Sequence, residues 1–561
     1  MHNARLILLV GGALGFLSCG PGKTTDPPIK PDYLTGSVVG LPDDVPTQTL
    51  NLADGDTVRM TVEFVKKSLG GQPLRMLAYN RSIPGPIIKV KQNASIVLLL
   101  TNNTGLPTTL HSHGIRSDSK YDGMEGLSQV AIDSGKSFSY ILKFPDPGVF
   151  WYHPHVRESY GQELGLYGNF LVEPTDSSYW SPVHREEMLV IDDLWVEKGV
   201  IRPFYKKKID FAMMGRYGNL SLVNGKEVPT MTVKRGEVIR FYATNVSGAR
   251  IYNLRLSDNS LLNVVGADNG RSEFSRNLYS HIIAPSERLI FQVGFNYKGK
   301  DTVLLESVGV GRFVDPAEPK RLLMRFVYST ESVTTDLSSS LVASQSLSVK
   351  KDIDQYRPYF KKAPDQSILL TGYMIMGAPS IPPSSRSAPA QYDSNLIDNM
   401  DIEWYDNMFN MNVISDTGNM KLTIRDMKTG LENHMINWVF SYKKGDLNPI
   451  IIHIQNDTST ASSAGRMTHV MPHPIHFHGQ RFLVLNEGPP GDIRENTTDL
   501  VWKDTYLVGS RFSVDILLDA SNPGQWMFHC HIPEHLESDM MGHFSVVQTG
   551  PGALIKGTGN Q

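Results

Sequence analysis

With 561 residues the chain has room for three or four domains at ~150 residues each, and its 40% apolar and 20% charged content is that of an ordinary soluble globular protein. A net charge of −3 at pH 7 and the lack of a long basic run give nucleic-acid binding no footing. The 48 glycines and 34 prolines suit a turn-rich β protein, and only two cysteines are present, Cys19 and Cys530.

Residues 1–18 read as a secretory signal of the lipoprotein type. Arg5 precedes an apolar run from Leu6 to Leu17 that is too short to make a good spanning helix. Cys19 follows Phe16-Leu17-Ser18 and resembles the lipidated first residue of a bacterial lipoprotein, with Phe16 where Leu is usual. An ordinary signal peptide or a weak anchor is the alternative. Lipid on Cys19 would hold an exported, periplasmic protein to the bacterial envelope membrane. Residues 19–32, rich in Pro, Thr and Lys, read as a tether, and no later apolar run is long enough to cross a membrane.

Beyond the tether one pattern recurs three times: a charged turn, a β-branched strand, then a short loop. It runs from Ile88 to His113, from Met231 to Arg255, and from Tyr442 to His473. A second pattern pairs the two ends of the chain. Ser137–Leu142 leads through Pro147-Gly148 to His153-Pro154-His155, and Arg511–Leu517 leads through Pro523-Gly524 to His529-Cys530-His531. Repeated punctuation of this kind points to duplicated β-sandwiches. We expect an all-β chain with domains at 33–175, 176–345 and 401–550, and with the Pro- and Ser-containing stretch 346–400 as a connector. The middle copy has Asn253 where the others have histidine, and is expected to be a spacer without metal.

Ten of the seventeen histidines lie in four short clusters: His111 and His113; His153 and His155; His473, His476 and His478; and His529, His531 and His535 around Cys530. On a strand, side chains alternate faces with period two. His111 and His113 therefore share a face, as do His153 and His155, and His476 and His478. By the same rule His529 and His531 point one way and Cys530 the other. One short segment then offers a thiolate to one metal site and two imidazoles to a second. His473, His535 and the thioether of Met540 complete a soft two-His, one-Cys, one-Met set that selects copper. The other eight clustered histidines form an all-imidazole set, four from each end of the chain. Zinc also takes His and Cys, but not in this combination of sets. His184, His281, His434, His453, His469 and His543 fall outside the pattern and are expected to be structural or exposed.

These stretches resemble the signatures of the multicopper oxidases, a family of laccases, bilirubin oxidase-like proteins and bacterial copper-resistance oxidases. The signatures His-x-His-Gly, His-x-His, His-Pro-x-His-x-His and His-Cys-His-x-x-x-His-x-x-x-x-Met are all complete. The resemblance implies three cupredoxin-like Greek-key β-sandwich domains and four copper ions. It implies that His473, Cys530, His535 and Met540 hold type 1 copper, and that His111 and His476 hold type 2. His113, His153, His155, His478, His529 and His531 would hold the type 3 pair. The implied reaction takes electrons singly from a reducing donor at the type 1 copper. It passes them through Cys530, His529 and His531, and reduces O2 to water at the trinuclear cluster.

Reduction of O2 consumes protons. Asp122, nine positions after His113, resembles the family's first-domain acid in spacing and is expected to relay them; a plain turn aspartate before Gly123 is the alternative. Ser112 stands where many members have Trp. Leu536 stands where some bacterial members carry an acid implicated in proton delivery. Glu537 is the candidate substitute, displaced by one residue, and Glu534 a candidate partner of a ligand; solvent exposure is the alternative for both.

The donor is less legible. Met400, Met408, Met411, Met420, Met427 and Met435 crowd one stretch, and thioethers suit Cu(I) as well as apolar cores. An axial Met implies a lower potential than that of the strongest laccases. The expected donor is Cu(I) or Fe(II), as in a copper-tolerance oxidase. A laccase-like oxidase of phenols and aromatic amines is the alternative, and a non-catalytic envelope copper-binding or scaffold protein is a third. A monomer is expected.

Overall fold

The computed structural model describes residues 36–197, 199–201, 215–309, 320–375, 420–457, 466–468, 471–496 and 500–549. The signal and tether, with Cys19, lie outside the described residues, as do His469, Met400, Met408 and Met411.

Three β-sandwiches follow one another, and each repeats the same pairing. In one sheet of each, an early strand runs parallel to the last strand of the unit. The pairs are Ile87–Lys91 with Gly168–Glu173, Thr230–Arg235 with Arg321–Ser332, and Asn437–Lys443 with Met541–Thr549. Next in the sheet come Gly148–His153, Thr302–Ser307 and Gly524–Cys530, then His111–His113, Tyr252–Leu256 and His473–Phe477. The facing sheets repeat as well. Thr57–Leu69 lies parallel to Ser95–Asn102, Arg185–Leu194 to Glu237–Asn245, and Gln366–Ile375 to Pro449–Asn456. Asn253 thus occupies a strand equivalent to the two that carry histidines.

The cores follow from alternation. Ser95–Asn102 buries Ile96, Leu98 and Leu100 and turns the residues between them outward. Each such side chain contributes roughly 1.5–3 kcal/mol on burial. In the third unit the same logic gathers Ile452, Ile454, Ile475, Phe477, Ile516 and Phe528 around Cys530 and Met540, all nearly inaccessible.

The connector reading of 346–400 meets a different arrangement. Leu347–Asp354 is a helix whose Val349 and Ile353 pack with Ile451, Leu483 and Leu517 on the third unit. Gln366–Ile375 is that unit's leading strand, paired with Met420–Asp426 and Pro449–Asn456. The Pro- and Ser-containing stretch that suggested a linker lies after this strand rather than before it, so the third sandwich begins upstream of residue 401.

The three units meet at Arg288. Its Nε donates to the Val149 carbonyl of the first unit (3.0 Å), and its guanidinium grips both carboxylate oxygens of Asp504 in the third. Among the described residues no helix is long and apolar enough to cross a membrane.

Candidate metal centre

Strand pairing assembles the histidines. His111 is in register with His153 across the first unit's edge strands, and His476 with His529 in the third. The two edges face each other, so that rings from opposite ends of the chain interleave: His113 stacks on His476 with centroids 3.7 Å apart, and His111 lies 4.1 Å from His478. All eight imidazoles are buried.

Six of them fall into two triangles. His113, His153 and His531 have centroids 5.0–5.8 Å apart. His155, His478 and His529 have centroids 5.1–5.4 Å apart. His111 and His476 form the remaining pair, 5.8 Å apart. His529 and His531 belong to different triangles.

Hydrogen bonds decide which nitrogen of most rings faces inward. Nδ1 donates to a backbone carbonyl in four cases: His111 to Asp122 (2.7 Å), His476 to Asp504 (2.8 Å), His153 to Pro154 (3.0 Å) and His529 to Cys530 (2.9 Å). His478 donates from Nδ1 to the Asp122 carboxylate (2.9 Å). His113 is reversed: its Nε2 meets Asp504 Oδ1 and Thr505 Oγ1, each at 3.0 Å. The nitrogens left over are Nε2 of His111, His153, His155 and His476 and Nδ1 of His113, and these buried atoms have no hydrogen-bond partner. His478 and His529, each with its proton committed at Nδ1, bring their Nε2 lone pairs to 3.0 Å of each other. Two acceptors this close repel unless a cation lies between them.

Burial, followed by repulsion from neighbouring imidazoles, holds His113, His153, His155, His476 and His529 well below the usual imidazole range. Burial takes His478 down to about 4, against the opposing pull of Asp122. Neutral inward nitrogens without hydrogen-bond partners are what a metal cluster requires.

The second site lies on the other side of the same strand. Cys530 Sγ is 3.3 Å from His535 Nδ1 and 3.5 Å from His473 Nδ1, and the three ligand atoms lie within 4.8 Å of one another. Met540 is buried in the same core, and its carbonyl accepts the Cys530 amide (3.1 Å). Burial drives the thiol well above its ordinary value. A thiolate here needs a cation beside it, and the sulfur and imidazole donors match copper.

Asp122 is drawn into the cluster wall. Its carboxylate meets His478 and also His111, at 3.3 Å. These two imidazoles outweigh its burial and hold it well below the carboxylate range. Glu537 lies behind the cluster wall rather than in it: its Oε1 accepts the Ser159 amide (2.9 Å), and its carboxyl acts electrostatically on Glu158. Glu534 is buried, and that burial raises its carboxyl to about 7.

Four contributors were missed in the sequence. Arg288, Asp504 and Thr505 act on His113 from far along the chain. Glu158 is 2% exposed, with Oε1 3.5 Å from both His153 Nδ1 and His531 Nδ1. An acid three residues beyond His155 was the only signal available for it. Of the methionine stretch, Met420 packs in the core, whereas Met427 and Met435 are 54% and 53% exposed. Met435 follows His434, whose Nδ1 meets Asp539 at 2.6 Å, directly before Met540.

Family models described as multicopper oxidase match residues 61–177 and 415–550. A multicopper oxidase of Staphylococcus epidermidis is 25% identical over 514 residues, spanning 89% of this chain and 88% of the relative. The fold is similar to that of a Campylobacter jejuni multicopper oxidase described as a metallo-oxidase, with a TM-score of 0.64, 19% identity, and coverage of 92% of this chain and 99% of the other. It is also similar to a laccase-like multicopper oxidase from Ochrobactrum, with a TM-score of 0.63, 22% identity, and coverage of 90% and 100%.

Proposed function

The chain belongs to the multicopper oxidase family, enzymes that use copper to oxidise a reducing substrate with O2, and on that premise we propose that it is a metallo-oxidase whose donor is Cu(I) or Fe(II). His473, Cys530, His535 and Met540 would hold the type 1 copper, and His111 with His476 the type 2. His113, His153 and His531 would hold one member of the type 3 pair; His155, His478 and His529 would hold the other. Bound copper would supply the one-electron steps at the thiolate site and the four-electron reduction of O2 to water at the cluster.

The observation that carries this reading is the strand end His529-Cys530-His531. Cys530 meets His473 and His535, while its two neighbours enter different triangles. A few covalent bonds thus join the thiolate site to both halves of the cluster. Asp122 fixes the tautomers of His111 and His478 and is the proton relay of this reading. Glu537 is the outer carboxylate on the side of Ser159.

Support for a metal-ion donor comes from the surface beside Met540. The His434–Asp539 pair and the exposed thioether of Met435 offer hard and soft donors there. The type 1 ligand side chains are themselves buried, so no imidazole edge is laid open for a bulky phenol.

The test is oxygen uptake by copper-loaded protein from residue 20 onward, with Cu(I), Fe(II) and a phenol in parallel, beside Cys530→Ser. Faster uptake with a metal ion, abolished by Cys530→Ser and slowed by His434→Ala with Met435→Leu, is the expected result. Faster uptake with the phenol, unaffected by the His434 and Met435 changes, would make the protein laccase-like. No uptake from fully loaded protein would leave the scaffold reading. We also propose that the protein is exported and lipid-anchored through Cys19. Incorporation of labelled palmitate, lost in Cys19→Ser, checks this.

A further inference from the structure

Six of the eight cluster imidazoles make a hydrogen bond that decides which nitrogen they turn inward. In five the device is a hydrogen bond from Nδ1, and in His113 it is the reverse bond from Nε2 to Asp504 and Thr505. His155 has a buried Nε2 without a hydrogen-bond partner, 3.8 Å from Glu158 Oε2. His531 differs: both of its buried ring nitrogens lack a hydrogen-bond partner. A histidine that must present one lone pair to a metal needs its other nitrogen held.

One group within reach has the complementary need. Glu158 is buried, and neither of its carboxylate oxygens has a hydrogen-bond partner. Its Oε1 lies 3.5 Å from His531 Nδ1. The same oxygen is 3.5 Å from His153 Nδ1, but that nitrogen is already bonded to the Pro154 carbonyl. Closing the gap to His531 takes a shift of about half an ångström. The backbone is set up to hold the carboxylate there. Arg157, left-handed at φ 47°, turns the chain into the short helix Glu158–Glu163, and the Ser159 amide is tied to Glu537 Oε1 on Pro533–Glu537. That second helix begins two residues after His531, so the two partners are carried on elements already fastened together.

We propose that Glu158 is the positioning residue of the trinuclear cluster, accepting the Nδ1 proton of His531 so that Nε2 is the nitrogen turned to copper. The proposal rests on the copper assignment above and adds to it a residue outside the ligand motifs. Glu158 is not itself a ligand in this scheme. It acts through His531, and through that ring on the triangle shared with His113 and His153.

The experiment compares wild type, Glu158→Gln and Glu158→Leu after copper loading, by three readouts: copper content, the blue absorption of the thiolate site, and electron paramagnetic resonance of the cluster. Gln keeps an oxygen acceptor at the same place; Leu removes it. Glu158→Leu is expected to retain the blue absorption, which shows that the third unit has folded. It should lose the magnetic coupling of the paired coppers, with uncoupled Cu(II) signal appearing or cluster copper released to chelator about 10–100 times more readily. Glu158→Gln is expected to restore the coupled, signal-free pair. The proposal is overturned if Leu leaves the coupled pair intact. It is equally overturned if Gln fails as badly as Leu, because the charge rather than the acceptor would then be what matters. A wild-type protein that binds no copper would remove the family assignment itself, an outcome separate from both.

Discussion

Gly114, which closes the His111-Ser112-His113 stretch, shows how closely the cluster wall is built. It is left-handed at φ 82°, and a Cβ there would run into Asp504 Oδ2 and meet Arg288 Nη2 at 2.9 Å. The glycine therefore leaves room for the carboxylate that orients His113. Gly114→Ala is expected to cost about 1–3 kcal/mol from backbone conformation alone and to displace Asp504, lowering both the denaturant midpoint and the copper content. Arg288 lies one bond further out. Removing a buried guanidinium leaves Asp504 uncompensated, and Arg288→Met is expected to destabilise by about 3–5 kcal/mol in equilibrium unfolding. None of this was legible in the sequence, because Arg288 and Asp504 are 216 positions apart. The histidines were legible because ligand chemistry is local: two imidazoles on one strand face must be two residues apart. Glu158 fell between these cases, close to His155 in the chain but on a helix that the strand period does not describe.

Among elements, the pair of short helices Glu158–Glu163 and Pro533–Glu537 has a modest energetic role. One direct tie between them is the Ser159 amide to Glu537 (2.9 Å). Glu537→Ala removes that acceptor and is expected to cost about 0.5–1.5 kcal/mol, with a small fall in thermal midpoint and no change in the blue absorption. A much larger loss of oxygen uptake at unchanged stability would instead favour Glu537 as a proton carrier. The strand repeat was readable from turns and β-branched runs, and it located every copper-motif strand. Its limit was Gln366–Ile375. That strand's sequence is clear, but its membership in the third sandwich depends on parallel pairing with Pro449–Asn456, which sequence spacing does not reveal.

For the whole molecule, the buried imidazoles are expected to make acid tolerance depend on copper. An unfolded histidine titrates at about 6.5, whereas His478 in the folded protein is held to about 4 and other cluster members are also lowered. As pH falls from the unfolded value toward the folded one, the unfolded chain binds protons that the folded chain does not, so stability drops. Copper held at the same lone pairs would stabilise the folded state by mass action. The copper-free protein should therefore lose thermal stability steeply between about pH 6.5 and 4, and the loaded protein should lose it less. Parallel acid melts of the two forms check this; coincident curves would mean that the cluster carries no metal.

The interleaving of His111, His113, His153 and His155 with His476, His478, His529 and His531 also has a consequence for biogenesis. A chain emerging from the ribosome presents four imidazoles of the cluster early, and the other four only after more than three hundred further residues. No full set of donors exists until His531 has been made and the last sandwich has closed back on the first. On the copper assignment proposed above, filling of the eight-histidine cluster would follow completion of the last sandwich, and a chain lacking either end would offer that cluster only half of its imidazoles.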